Sequence, residues 1–240
     1  MQRRVELLGA GLVTDELAAI HELAPTWPAC ELLPPEKLAG QERLASLAIR
    51  AAHQAWTMSH SGDLSGEQIG LICVSAWGAV DATVGYLQSM LDAGGKFASP
   101  RLFSRSVYSS VAAAAAIWFG IKGPCETLAF PPAAAVSGAL TAAWRLLATE
   151  RCARVLVVWA EQSAAISHDL ARRAATDLHK REYERYRESL GEGAVAVAVG
   201  RTGGLRSVEC SVSPPTGSWQ GKPFAMDPAA AWLAGLVDNG

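Results

Sequence analysis

An α/β domain, with a mostly parallel sheet of about five strands and helices on both faces, is what this 240-residue sequence predicts. Three observations lead there. Apolar runs of strand length, Ile69 to Ala76, Val155 to Ala160 and Ala194 to Val199, lack the polar alternation of a half-exposed sheet, so both of their faces need cover. Segments with helical spacing lie between them, as in crossover units. Neither an internal repeat nor a composition shift of linker type divides the chain, so residues 1–240 read as one domain.

Taken in order, Val5 to Val13 reads as a first strand that turns at Gly9 and Gly11. Pro25-Thr26-Trp27-Pro28 and Pro34-Pro35 mark an irregular connection. Glu42 to Trp56 has helical spacing, with Leu44, Leu47, Ala48, Ala51 and Ala55 on one face and Arg43 and Arg50 on the other. Ala79 to Leu91 reads as a helix ended by Gly94-Gly95, and Val111 to Phe119 as a second apolar helix closed by Gly120. Glu126 to Phe130 is a short strand candidate. Pro131 and Pro132 open a long helix through about Thr149, because the first helical amide has no helical partner to lose. That helix is apolar almost all round, which implies burial on most sides. Ser167 to Leu190 is charged and mostly helical in pattern, and Leu205 to Val212 alternates as a further strand.

Composition excludes several classes. The net charge of -2 and the lack of a basic stripe argue against nucleic-acid binding. Leu128 to Trp144 is the nearest thing to a membrane span, but it is mostly alanine, contains Pro131 and Pro132 and meets Arg145, so a buried helix is expected. Behind Met1-Gln2-Arg3-Arg4 the apolar stretch is broken by Glu6, Gly9 and Gly11, so no signal peptide is read. Cys30, Cys73, Cys125, Cys152 and Cys210 form no CxxC pair, which points to buried thiols in a reducing cytoplasm. Half of the residues are hydrophobic, and part of that excess is available for an interface.

Motifs of independent chemistry are weak. Gly9-Ala10-Gly11 follows a strand as a dinucleotide-binding turn does, but Thr14 stands where the third glycine belongs, so a plain tight turn is expected. His21, His53, His60, His168 and His179 have no metal-ligand spacing, and no metal or cofactor is expected. His168-Asp169 has the form of an oriented base, with Ser137 or Ser163 as partner, though neither serine sits in a nucleophile elbow. Trp77, Trp118 and Phe130 are candidates to line a small-molecule site, with core packing as the plainer reading. The alternating charges between Arg172 and Glu188 read as a solvated helix face or as a docking surface for an acidic carrier protein.

The order of segments resembles the β-ketoacyl synthase family. Leu7-Leu8-Gly9-Ala10-Gly11-Leu12-Val13-Thr14 is similar to its opening strand, and Gly70 to Gly78 to its next core strand and glycine turn. Phe119-Gly120-Ile121-Lys122-Gly123-Pro124 resembles the approach to the nucleophile. Ala133 to Glu150 is similar to the central helix, Ala153 to Glu161 to the strand after it, and Gly191-Glu192-Gly193-Ala194 to the Gly-Glu-Gly-Ala segment. The resemblance covers about residues 5 to 200 and implies a thiolase-like fold, N-terminal half only. It also implies a nucleophilic cysteine in a Thr-Ala-Cys pattern at the start of the central helix, where partial positive charge favours a thiolate. Here Pro131-Pro132-Ala133 stands in that place, and no cysteine lies between Cys125 and Cys152. Cys125 falls on the wrong side of the short strand. Both histidine motifs belong to a second half that a chain ending at Gly240 does not reach.

The resemblance thus implies a non-catalytic, chain-length-factor-like accessory subunit in polyketide, aryl-polyene or fatty-acid-type biosynthesis. Its expected partners are a full-length ketosynthase, an acyl carrier protein or a second copy of itself. Two alternatives stay open: a serine-dependent acyl-thioester hydrolase or acyltransferase on the same scaffold, and a hydrophobic small-molecule binding module.

Overall fold

The computed structural model describes residues 3–14, 30–130, 132–163, 192–202, 204–210 and 232–233. The elements, in chain order, are β1 (Arg4–Thr14), α1 (Arg43–Met58), β2 (Ile69–Val74), α2 (Val80–Asp92), α3 (Pro100–Ser106), α4 (Ser110–Phe119), β3 (Cys125–Leu128), α5 (Pro132–Ala148), β4 (Arg154–Glu161), β5 (Gly193–Gly200) and β6 (Arg206–Glu209). The six strands form one sheet in the order β3-β2-β4-β5-β1-β6. β3, β2 and β4 run parallel, whereas β4 with β5, β5 with β1 and β1 with β6 are antiparallel.

The sheet is therefore mixed rather than mostly parallel, with six strands among the described residues against the expected five or so. An unbroken apolar strand reports that both faces are covered, and it carries no information on direction. β2, β4 and β5 are buried along nearly their whole length, as such runs require.

Two helical layers supply the cover. α1 and α4 pack on one face, with Leu44, Ala48, Ala51, Ala55 and Ala112 in a core that includes Leu71, Leu156, Val158 and Ala196. α5 packs on the other face, where Ala139, Leu140, Ala143 and Leu147 meet Leu7, Leu12, Val157, Trp159 and Val197. β5 divides its side chains by size: alanines 194, 196 and 198 face α1, and valines 195, 197 and 199 face α5.

β1 explains its glycines in the same terms. They do not make the tight turn that the sequence predicts; they lie inside the strand. The pairing with β5 shifts register between Leu7 and Gly9, a bulge that changes which residues face each way. After it, Ala10 and Leu12 join the α5-side core, and Gly9 and Gly11 look at α1. A Cβ on Gly11 would come within 1.9 Å of the Ala51 carbonyl oxygen, and one on Gly9 within 2.6 Å of that of Ala55. Small residues here let the α1 backbone lie against the sheet. Gln54, 1% exposed, fixes the same contact by donating from Nε2 to the Leu12 carbonyl at 3.0 Å.

α3 has no counterpart among the helices that the sequence predicts. Its signal is local: Ser99 Oγ accepts from the Leu102 amide, and Pro100 occupies the first turn. α4 ends at Gly120 with φ +65°, as expected for a left-handed helix stop. None of the described helices is long and apolar enough to cross a membrane.

Candidate functional site at the carboxyl end of the central strands

β3, β2 and β4 are parallel, so their carboxyl ends share one edge of the sheet. The turn Ser75-Ala76-Trp77-Gly78 leaves β2 there, and Glu161 closes β4. α5 begins just past the end of β3. Its first turn is tied to β4 by the Trp159 indole, which donates from Nε1 to the Ala135 carbonyl at 3.0 Å. Gly138 lets Phe130 pack on α5, because a Cβ there would come within 2.6 Å of the ring.

Ala133 lies in that first turn. It is the residue that the family resemblance assigns to the nucleophile position, and alanine has no group able to attack an acyl carbon. Pro131 lies outside the described residues, as do the side chains of Pro132 and Ala133. Cys125 opens β3 at the opposite end of the strand, away from α5, and burial raises its thiol pKa.

Glu161 is the chemically distinctive group at this edge, and sequence reasoning missed it. It is 1% exposed. Its Oε1 accepts from Ser75 Oγ at 2.8 Å, from the Ala76 amide and from the Trp77 amide at 3.3 Å. Its Oε2 is buried without a partner. All three donors are neutral, so burial dominates and pushes the carboxyl pKa up to about 7 against those hydrogen bonds. Ser75 Oγ also accepts from the Gly78 amide at 2.8 Å, and Tyr108 donates its hydroxyl to the Ser75 carbonyl. Gly78 has φ +65°, and a Cβ there would strike the Tyr108 ring at 2.7 Å. Burial together with Glu161 raises the Tyr108 hydroxyl pKa to about 12. The knot fixes the turn that carries Trp77. A signal for it does exist in the sequence: an acidic residue closing an otherwise apolar strand.

The base of the serine alternative lies outside the described residues. Ser137 Oγ turns back onto its own helix, 3.5 Å from the Ala134 carbonyl. Ser163 is exposed past the end of β4. His168 lies outside the described residues, as does the charged segment around Arg172 to Glu188. The three candidate rings do not share one cavity: Phe130 packs with the α5-side core, and α4, which carries Trp118, packs on the α1 side.

Exposed apolar side chains stand on α2, α3, α4 and the turns beside them. Leu87, Leu91, Phe97, Phe103, Ile117 and Trp77 are each more than 40% exposed. Phe103 stands 5.5 Å from Tyr86, ring to ring. β3, next to α4, is an edge strand of the described sheet, bonded to β2 on one side. Large exposed apolar patches mark interaction surfaces, and an unpaired edge strand is a second means of association.

Comparison with known proteins agrees with this architecture. Residues 18–174, well over half of the chain, match the family described as beta-ketoacyl synthase, N-terminal domain. The chain belongs to that family. Among solved structures, a chain of the ishigamide ketosynthase/chain length factor is similar at 20% identity and TM-score 0.63, covering 82% of this chain and 62% of that one. A chain of the complex of a type II polyketide synthase acyl carrier protein with its hexaketide-bound ketosynthase (AntDE:AntF) has 14% identity and TM-score 0.63, covering 84% and 63%. A chain of the complex of a ketosynthase (ApeO) with its chain length factor (ApeC) from Xenorhabdus doucetiae has 15% identity and TM-score 0.63, covering 100% and 93%. The chain thus spans about three fifths of the length of the first two and nearly all of the third. At these identities the likeness is one of fold. No curated protein matches the sequence.

Proposed function

We propose that this chain is a non-catalytic, chain-length-factor-like subunit that completes a ketosynthase in polyketide, aryl-polyene or fatty-acid-type biosynthesis. One observation carries the reading: on a ketosynthase scaffold, the start of the central helix bears Ala133, and no cysteine follows until Cys152. A methyl group cannot form the acyl thioester on which condensation depends. The scaffold then serves by association. The face of α2, α3 and α4, with the β3 edge beside it, supplies apolar area for a ketosynthase carrying its own cysteine, and the complexes named above give the kind of partnership in which this fold is found. An acyl carrier protein is a second, transient partner of the same assembly. All five cysteines are free, which supports residence in the reducing cytoplasm.

The test is reconstitution with a ketosynthase, an acyl carrier protein and extender thioester from the same host. The chain alone releases no carbon dioxide and forms no acyl-enzyme detectable by intact mass. The ketosynthase elongates only, or to a defined length only, when the chain is added. Acylation of the isolated chain would overturn the non-catalytic reading, and a product profile indifferent to its presence would overturn the accessory role.

A further inference from the structure

The carboxyl of Glu161 is bonded on one oxygen only. Oε1 accepts from Ser75 Oγ, from the Ala76 amide and from the Trp77 amide, and all three donors belong to one turn. Oε2 is buried with no hydrogen-bond partner, and the residue as a whole is 1% exposed.

No cation answers this carboxyl among the described residues. α5 carries no titratable side chain from Ala134 to Trp144. Gly193 stands opposite on β5, and Glu192 before it is paired with Arg43 of α1. Cys73 of β2 packs on the α1 side, where burial keeps its thiol neutral, and Glu126 of β3 lies level with Ile72, further back along the sheet. Tyr108 is the titratable group that meets the turn. It donates to the Ser75 carbonyl, and with its pKa at about 12 it stays neutral.

An ionised Glu161 therefore lacks both a countercharge and water. Burial outweighs the three neutral bonds, which is why the pKa stands at about 7. Water is the remaining source of stabilisation, and the cover that yields most easily is the turn. β2 is paired to β3 and β4, and β4 to β2 and β5, so both strands are held on two sides. The turn lies past the end of the β2–β4 pairing, Trp77 within it is 41% exposed, and the Tyr108 hydroxyl ties it from outside. Such segments open locally while the sheet stays whole.

We infer that Glu161 is a pH-operated latch on this turn: the neutral acid holds Ser75-Ala76-Trp77-Gly78 closed, and the carboxylate drives it to open and admit water. In the open form the carboxyl is hydrated and titrates in the ordinary range. Below about pH 4.5 both forms are protonated and the turn is at its tightest. As pH rises to about 7 the open form ionises first and opening becomes more frequent; above that the gain is complete. The surface that Trp77 presents thus depends on pH. The latch does not rest on the accessory-subunit reading, since it belongs to the isolated chain.

The experiment is native-state hydrogen exchange of the full chain from about pH 5 to about pH 8, read as protection of the Ala76 and Trp77 amides after correction for intrinsic exchange, with and without low urea. Protection of both is expected to fall roughly 10- to 100-fold over that range and to be insensitive to urea. In Glu161→Gln, which keeps a neutral acceptor, it is expected to stay flat with pH. Tyr108→Phe removes the outer tie without touching the carboxyl, so protection drops at every pH while the fall with pH remains. That second variant keeps the test decisive if Glu161→Gln does not fold. Protection in the wild type that is constant with pH, or that falls equally in Glu161→Gln, would overturn the latch. So would exchange that urea accelerates in step with the Val157 amide of β4, since the turn would then open only with the whole fold.

Discussion

Glu161 is a carboxyl that folding makes harder to ionise. Its pKa stands at about 7 in the fold against an ordinary 4.5, so the folded chain holds this proton more tightly than the unfolded chain does. Below about pH 4.5 both states are protonated and Glu161 subtracts nothing from stability. As pH rises from there to about 7 the unfolded state ionises first, and stability falls; above that the loss is complete, at about 3 kcal/mol. Denaturant unfolding of wild type and Glu161→Gln from about pH 4.5 to about pH 8 should show the wild type losing that much relative to the variant. A difference that is flat with pH would mean that Glu161 is not a buried, uncompensated carboxyl. Gly11 makes the other prediction at this scale. Gly11→Ala drives a methyl into the Ala51 carbonyl. It should cost about 3 kcal/mol, read as a lower denaturant midpoint with unchanged slope.

At the level of elements, much was legible and the reasons for the rest are physical. The helices at Arg43–Met58, Val80–Asp92 and Ser110–Phe119 fall close to where spacing and glycine stops place them. The strand Gly193–Gly200 shows in its Ala/Val pattern, but that pattern could not say that its alanines face one helix and its valines another. Strand direction was not legible, because burial on both faces looks the same in parallel and antiparallel settings. The glycines of β1 were read as a turn, since a close helix approach is a tertiary contact with no local signature. Ala133 is legible only through the family resemblance, and the role of Glu161 depends on three donors that come from a distant turn, Ser75 to Trp77, which the sequence does not bring together. The exposed face belongs to this scale too. Ile117, at 82% exposed, and Leu87 should matter to association and not to folding. Ile117→Glu and Leu87→Lys should each weaken ketosynthase binding by about tenfold or more while leaving the melting midpoint nearly unchanged. Loss of stability equal to the loss of binding would place these side chains in the fold instead.

For the whole molecule, scaffold and chemistry separate. The sheet and its two helical layers fit the β-ketoacyl synthase N-terminal domain family to which the chain belongs, and on the proposed reading Ala133 stands where that scaffold would present its nucleophile. Ala133→Cys is a direct probe of this separation. It should add at most a thiol that iodoacetamide alkylates, with no condensation by the isolated chain. Turnover by that variant alone would mean that the chain holds the rest of the machinery.

The measurement that bears most directly on the central claim is native mass spectrometry of the chain co-expressed with the ketosynthase of its own host. The account predicts a one-to-one complex in which acyl label resides on the ketosynthase cysteine and none on this chain. A self-associated or monomeric chain beside an unbound, fully active ketosynthase would contradict it.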